Sequence, residues 1–300
     1  MELISFGSVF LEIVFGHLNQ LPEPGEEIFT DAFAFSCGGA LTPAVAASRA
    51  GANAGLATLL GDDLGSRLAI EHSQREGVDL SNAQRVDGPI TGISAVLNFN
   101  GDRAFISHMP PAPTGVVPPV EHWQETLRRV RPAWCYVHPN HPQIVGLLEA
   151  ARALGTRVAL DVNVGEISDF GEGVVRCARL ADVFLPNEEE LRRLTRTEDL
   201  RKAIGLASSW CPWLVVKRGS AGAIAVDHGQ ATDVTDGLKD VVVKDRTGAG
   251  DAFAGAMIGT IAKGASLVEA VVAGNTAGSE AVARLGAAGI LSLSGIGGMC

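Results

Sequence analysis

The sequence predicts a three-layer α/β fold with a mostly parallel central sheet, helices on both faces and a small β-sheet lid. Three observations carry this reading. Short apolar strand-like runs alternate with helical segments over most of the 300 residues, the pattern of crossover units in a parallel sheet. A composition of 46% hydrophobic residues supplies a large core for one sizeable domain. Two stretches of strand-like sequence break the alternation, and these give the lid.

Taken in order, the first strand is 3–6, followed by a lid strand at 11–15. A second lid strand is read at 28–35, with apolar side chains at 29, 33 and 35. Helix 44–50, strand 54–60 and helix 64–76 return to the crossover pattern. Segments 93–99 and 103–106 flank Asn100-Gly101-Asp102, a tight-turn sequence suited to a hairpin in the lid. Helix 120–129, strand 133–137, helix 142–154, strand 157–161, helix 171–180, strand 183–185, helix 188–194 and strand 213–217 then alternate. The expected division is an α/β catalytic body of residues 1–8, 37–88 and 109–300, with a lid of residues 9–36 and 89–108. Active residues belong just beyond the carboxyl ends of the strands. Polar groups stand there at 138–141, 161–163, 187–190 and 245–251.

Charge and cysteines narrow the class. A net charge of -10 argues against nucleic acid or an anionic membrane as the main partner. The five cysteines, at 37, 135, 177, 211 and 300, contain no Cys-x-x-Cys, so a reducing cytoplasm is the expected setting. The N-terminus lacks a basic stretch, and Gly7, Glu12 and Gly16 interrupt its apolar residues. Neither a membrane span nor a signal peptide is expected from that.

The run Asp245-Arg246-Thr247-Gly248-Ala249-Gly250-Asp251-Ala252-Phe253 carries the chemistry. It follows the β-like run Val241-Val242-Val243 and opens a helical segment, 252–262. A strand, a glycine turn and a helix start together make an anion site, because unpaired N–H groups and the positive end of the helix dipole converge there. Asp251 then sets a carboxylate beside a site built for negative charge. That suits a general base taking a proton from a hydroxyl that attacks a phosphate. No Gly-Lys-Ser/Thr follows, so this is not a Walker A loop, and Phe253 stands where a Rossmann fingerprint needs its third glycine. A glycine turn with an Asp capping a helix is the plain alternative.

With these pieces placed, the chain resembles the ribokinase-like (PfkB) carbohydrate kinases over nearly its whole length. The 245–253 run is similar to that family's second signature. Gly38-Gly39, the helix to Gly51 and Gly61-Asp62-Asp63-Leu64-Gly65 resemble its first. Asn187-Glu188-Glu189-Glu190 resembles its Asn-x-x-Glu element, and Lys217-Arg218-Gly219-Ser220-Ala221-Gly222 its nucleotide-side glycine loop.

The resemblance implies a ribokinase-like sandwich and ATP-dependent phosphorylation of a small sugar-like acceptor, with Asp251 as base and the Gly248, Ala249 and Gly250 amides as anion hole. It places Asn187 and Glu190 at Mg²⁺, largely through water, and Lys217, Gly219, Gly222 and Asn275 beside the nucleotide. Asp245 and Thr247 match positions where some members hold a monovalent cation such as K⁺. Plain readings stand beside these: a helix cap for Asn187, a turn for Asp245, a hairpin for 213–226 and a solvent-facing helix residue for Asn275.

The sugar side departs from the family's pattern. Phe10 and Glu12 stand where an Asn-x-Asp pair is usual, and Ala40-Leu41-Thr42-Pro43 replaces a polar set. Phe10 and Pro43 cannot supply the contacts of an Asn amide. The acceptor is therefore expected among Glu12, Phe10, Gly38 and Gly39, with Asn140, Asn163, Asn98 or His108 as further polar contacts. His138-Pro139-Asn140-His141 has the spacing of two metal ligands, but the prolines oppose a helix and no third ligand stands nearby. A loop reaching the acceptor is the expectation there. A nucleoside kinase of the same fold, with Phe10 or Phe35 stacking on a base, and a decayed binding or regulatory protein remain alternatives. A lid with apolar faces also suggests a homodimer.

Overall fold

The computed structural model describes residues 1–99, 102–111, 119–238 and 240–287. Its strands and helices follow in chain order as β1 (Leu3–Phe6), β2 (Val9–Leu18), β3 (Ala32–Gly39), α1 (Leu41–Arg49), β4 (Ala54–Ala57), β5 (Leu59–Leu60), α2 (Leu64–Arg75) and β6 (Gln84–Arg85). Then come β7 (Gly92–Phe99), β8 (Asp102–His108), α3 (Pro119–Val130), β9 (Trp134–Val137), α4 (Ile144–Ala153), β10 (Arg157–Leu160), α5 (Val164–Phe170) and α6 (Glu172–Ala178). The remainder is β11 (Val183–Phe184), α7 (Glu188–Thr195), α8 (Leu200–Ala207), β12 (Trp213–Lys217), β13 (Ala223–Asp227), β14 (Gln230–Val234), α9 (Ala249–Ala262) and α10 (Leu267–Val282).

The central sheet has the order β14-β13-β12-β11-β10-β9-β1-β4. Neighbours run parallel from β4 to β12, and β13 and β14 close one edge as antiparallel partners. The parallel strands therefore end on one side, where their following loops converge.

Alternate side chains fill two cores. Ile4, Cys135, Val158, Phe184 and Leu214 pack with Leu127, Leu147, Leu148 and Leu191 on one face. Leu3, Trp134, Tyr136, Ala159 and Val215 pack with Phe253, Met257, Ile258 and Val271 on the other. Each large aliphatic or aromatic side chain buried this way contributes ~1.5–3 kcal/mol, so helices are held on both faces. The same alternation puts Tyr136 on the α9 side. Close approach fixes α9 itself: a Cβ on Gly255 would collide with the carbonyl of Pro43 in α1.

The lid strands form their own four-stranded sheet, ordered β3-β2-β7-β8. Its inner face buries Glu12, Val14, Ala34, Ser36, Ser94, Val96 and Asn98, and Leu285 packs against Val14, Ala34 and Val96.

Three expected strands differ. The 54–60 strand is split, with β4 in the central sheet and β5 paired with β6 in a separate two-stranded sheet. The 28–35 strand instead begins at Ala32 and continues to Gly39, paired with β2 from Gly16↔Ala32 to Val9↔Gly39. Phe29, the first apolar position named for that strand, is 85% exposed; partner register, not the local apolar pattern, sets the boundary. Val241 to Val243 form no strand, and Val242 and Val243 are exposed. Strand propensity is realised only with a partner, and this run lies beside the lid without joining either sheet. There Val243 to Arg246 line a cavity of about 180 Å³ with His17, Leu18, Asn98, Phe99 and Asp102. The Asn100-Gly101 turn lies outside the described residues, though Phe99 and Asp102 on either side are paired as a hairpin requires.

Candidate active site

The 245–251 turn is built from its own side chains. Asp245 Oδ1 accepts from Thr247 N at 2.8 Å and Thr247 Oγ1 at 2.6 Å, while Oδ2 accepts from Gly286 N at 2.8 Å. Asp245 thus staples the turn to the segment after α10. Gly248 takes the left-handed conformation, φ 69°, as the N-cap of α9, and a Cβ there would strike Ala287. Only glycine fits. The N–H groups of Gly248 and Gly250 find no partner among the described residues, leaving donors for an anion at the helix start.

Asp251 sits in the first turn of α9, over the carboxyl ends of β9 and β10. Its Oδ1 accepts from the Tyr136 hydroxyl at 2.8 Å and lies 3.5 Å from His138 Nε2. The Tyr136 hydroxyl is also 3.0 Å from His138 Nε2 and 3.3 Å from Asp161 Oδ2. His138 Nδ1 lies 3.1 Å from Glu166 Oε2. Lys217 Nζ donates to both Asp161 oxygens at 2.7 Å. Its ammonium stands 3.1 Å from where a Gly250 Cβ would be. Ligand atoms of His138, Asp161 and Asp251 fall within 4.8 Å of one another, a spacing a cation would tolerate, but Lys217 already supplies positive charge there.

These neighbours set the charge states. Burial disfavours a charged Asp251, yet His138, Lys217 and Tyr136 outweigh it and hold its pKa below the usual carboxylate range. Burial also works against a charged His138, but Glu166 and Asp251 hold its pKa well above the histidine range. For Lys217, Asp161 and Glu190 overcome the same penalty and keep the ammonium.

On the acceptor side, Glu12 is 6% exposed, and its Oε2 accepts from Ala287 N at 3.3 Å. Burial pushes its carboxyl up to about 7, the Ala287 N–H works the other way, and Asp245 and Asp251 add to the rise. A Cβ on Gly38 would collide with the Glu12 carboxylate, and one on Gly39 with the carbonyl of Ser8. Gly38 is thus what admits Glu12, while Gly39 serves the left-handed turn against Ser8. Phe10 lies against Gly92, where a Cβ would meet its ring at 2.5 Å.

Asn187 and Glu190 form a reciprocal capping box: Asn187 Oδ1 accepts from Glu190 N at 2.9 Å and Glu190 Oε2 from Asn187 N at 2.7 Å. Burial raises Glu190 to about 7 against the pull of Lys217. Gly219 and Gly222 both have positive φ in the β12–β13 turn. Asn275 is not a solvent-facing helix residue. It is 8% exposed and donates to the carbonyls of Val234 and Asp236 at 3.1 and 2.8 Å, pinning the chain after β14.

The other expected acceptor contacts differ in setting. Asn140 and His108 are exposed. Asn163 Oδ1 caps α5 by accepting from Glu166 N at 3.0 Å, and His141 Nδ1 accepts from Gln143 N at 3.1 Å. Asn98 is buried in the lid with neither amide atom paired. Tyr136 and Glu166 were not singled out by sequence. Tyr136 was the more findable, being the one tyrosine in the chain and two residues from His138 on the same strand face.

A family model described as pfkB family carbohydrate kinase matches residues 3–292. The chain belongs to this family. It is 28% identical over 263 residues to the aminoimidazole riboside kinase of Salmonella typhimurium, covering 81% of this chain and 80% of that one. It is 25% identical to the cytidine kinase of Thermococcus kodakarensis over 95% of this chain and 98% of the relative. An E. coli protein described as ribokinase II, solved with ATP and Mg²⁺, superposes with a TM-score of 0.80 at 22% identity, covering 97% and 96% of the two chains. The fold is ribokinase-like, with the smaller sheet as its lid. Among the described residues no helix is long and apolar enough to cross a membrane.

Proposed function

We propose that this kinase transfers the γ-phosphoryl group of ATP to a hydroxyl of a small sugar-like acceptor, with Asp251 as general base. The observation that carries the reading is the geometry of Asp251. Oδ1 is held by Tyr136 and His138, while Oδ2 has no partner among the described residues and is left to take the acceptor's proton. Bound ATP with Mg²⁺ supplies the transferable phosphoryl group and charge neutralisation. The Gly248 and Gly250 amides donate to its oxygens as charge develops, while the Ala249 N–H, expected to join them, is directed at the Arg246 carbonyl at 3.4 Å; Lys217 adds a cation beside Gly250.

The donor set fits such a group. Glu190, raised to about 7 by burial, is a carboxylate whose ionised form a divalent ion would stabilise. Asn187 and Glu190 would hold it through water, because their caps occupy part of each side chain. Gly219, Gly222 and the segment pinned by Asn275 would border the nucleotide. Asp245 and Thr247 are already satisfied by each other and Gly286, so a K⁺ requirement rests on the family resemblance; comparing activity in potassium and in tetramethylammonium buffers tests it. The body and lid act as two units, the lid excluding water that would compete as acceptor.

Phe10 favours a second reading, a nucleoside acceptor. Its ring replaces a polar amide, shares the face of β2 that carries Glu12 and lies against Gly39 and Gly92, and would offer its face to a base. ADP release from ATP across ribose, fructose, cytidine, adenosine and vitamin alcohols tests both. Bulkier sugar derivatives or ribosides should exceed ribose. Efficient use of ribose would count against the apolar pocket, and no ADP release with any acceptor would favour a binding protein.

A further inference from the structure

The chain from Glu166 through His138 and Tyr136 to Asp251 is not accounted for by phosphate or nucleotide binding. Each link is within hydrogen-bond range: 3.1 Å from Glu166 to His138 Nδ1, 3.0 Å from His138 Nε2 to the Tyr136 hydroxyl, and 2.8 Å from that hydroxyl to Asp251 Oδ1. Tyr136 has a single proton. If that proton goes to Asp251, its oxygen must accept from His138 Nε2–H, while Nδ1–H donates to Glu166. With Glu166 as a carboxylate, only an imidazole protonated on both nitrogens satisfies all three links. A neutral ring with its lone pair at Nε2 would draw the Tyr136 proton away from Asp251. A neutral ring with its lone pair at Nδ1 would face the Glu166 carboxylate.

We propose that His138, clamped by Glu166, is a positioning residue that acts through Tyr136 to orient Asp251, fixing Oδ1 so that Oδ2 faces the acceptor hydroxyl. The proposal rests on the reading of Asp251 as base. The elements around His138 bring Glu166 from α5, Asp251 from α9, Asp161 after β10 and Tyr136 from its own strand, with Lys217 on Asp161 and Glu190 beyond it. Carboxylates dominate that shell, in keeping with the raised pKa of the ring. Glu166 is anchored independently, accepting from Asn163 N at 2.9 Å, so the clamp is rigid before any ligand binds.

The test uses the full-length protein labelled with ¹⁵N-histidine, and the first arm needs no acceptor. The His138 ring should stay doubly protonated well above the ordinary midpoint of ~6.5, and Glu166→Gln should lower its midpoint by about one pH unit or more. The second arm follows ADP release with ATP and the best acceptor among ribose, fructose, cytidine and adenosine. Glu166→Gln and His138→Gln should each reduce turnover roughly tenfold to a hundredfold with little change in KM for ATP. In His138→Gln the acid limb of the rate profile should move to higher pH, because Asp251 loses its cationic neighbour. Gln keeps an oxygen for the Asn163 cap, and unchanged thermal unfolding shows that the fold survives.

An ordinary His138 midpoint in the native protein overturns the proposal, whatever Asp251 does. So do unaltered turnover and pH profile in both glutamine variants beside an inactive Asp251→Asn enzyme. A fully active Asp251→Asn enzyme instead overturns the catalytic reading, and the positioning role with it.

Discussion

At the scale of single residues, the site stores unfavourable charge that a ligand can relieve. Glu12 has its carboxyl raised to about 7 from 4.5. A raised acid binds more protons folded than unfolded, so its contribution is intact below about 4.5 and is lost as pH climbs through 7. The stability of the free protein should therefore decline between pH 5 and 8. Glu12→Gln should remove part of that slope and gain roughly 2–3 kcal/mol at pH 8, with little gain at pH 5. Urea unfolding at the two pH values checks this, and equal effects at both would contradict it. Glu12, Asp251 and the glycines were legible in the sequence because each belongs to a short motif with a local reason. The partners of Asp251 were not, since Tyr136 lies 115 residues away in sequence and meets it only through packing of β9 on α9.

Elements show the same division between local and long-range causes. The α9 start follows from its glycines, and the capping boxes at Asn187 and Asn163 follow from an Asn three residues before a Glu. Two glycines in one turn nevertheless do different work. Gly248→Ala forces a left-handed backbone against Ala287 and should cost about 1–3 kcal/mol of stability. Gly250→Val instead meets Lys217 Nζ and the space for the phosphoryl group, so ATP affinity and turnover should fall together with a smaller loss of stability. Calorimetry and ATP titration of both variants separate these effects; the reverse ranking of stability losses would contradict them. Val241 to Val243 mark the limit of local reading, because nothing in three valines says whether a strand edge will lie beside them. The 28–35 boundary failed similarly, its register being set by β2.

Across the whole molecule, the mostly parallel sheet, the helices on both faces and the lid were legible because hydrophobic periodicity marks them. Self-association, if it occurs, is expected to use the lid's outer face. The pairs Phe15↔Phe33, Ile13↔Phe35 and Ala95↔Ile106 share that face, with Phe33 stacked edge-on to Phe15 and Phe35. Phe33, Ile93 and Ile106 remain 50%, 45% and 69% exposed, an apolar patch of the kind a partner surface covers. A second copy of this chain is expected to cover it, and Ile106→Lys should convert a dimer to a monomer in sedimentation. A wild-type monomer at micromolar concentration would contradict that expectation.

The central claim is that the carboxylate of Asp251, held over the glycine turn, takes the acceptor's proton while the amides and Lys217 hold the phosphoryl group. Its most direct test is turnover and ATP affinity of Asp251→Asn, measured with the best acceptor from the substrate panel. The variant keeps side-chain size and Oδ1 as an acceptor for Tyr136, but its amide cannot accept the proton as a carboxylate does. Turnover should fall ~10²–10⁴-fold with ATP affinity nearly unchanged. Near-normal turnover in that variant would contradict the account.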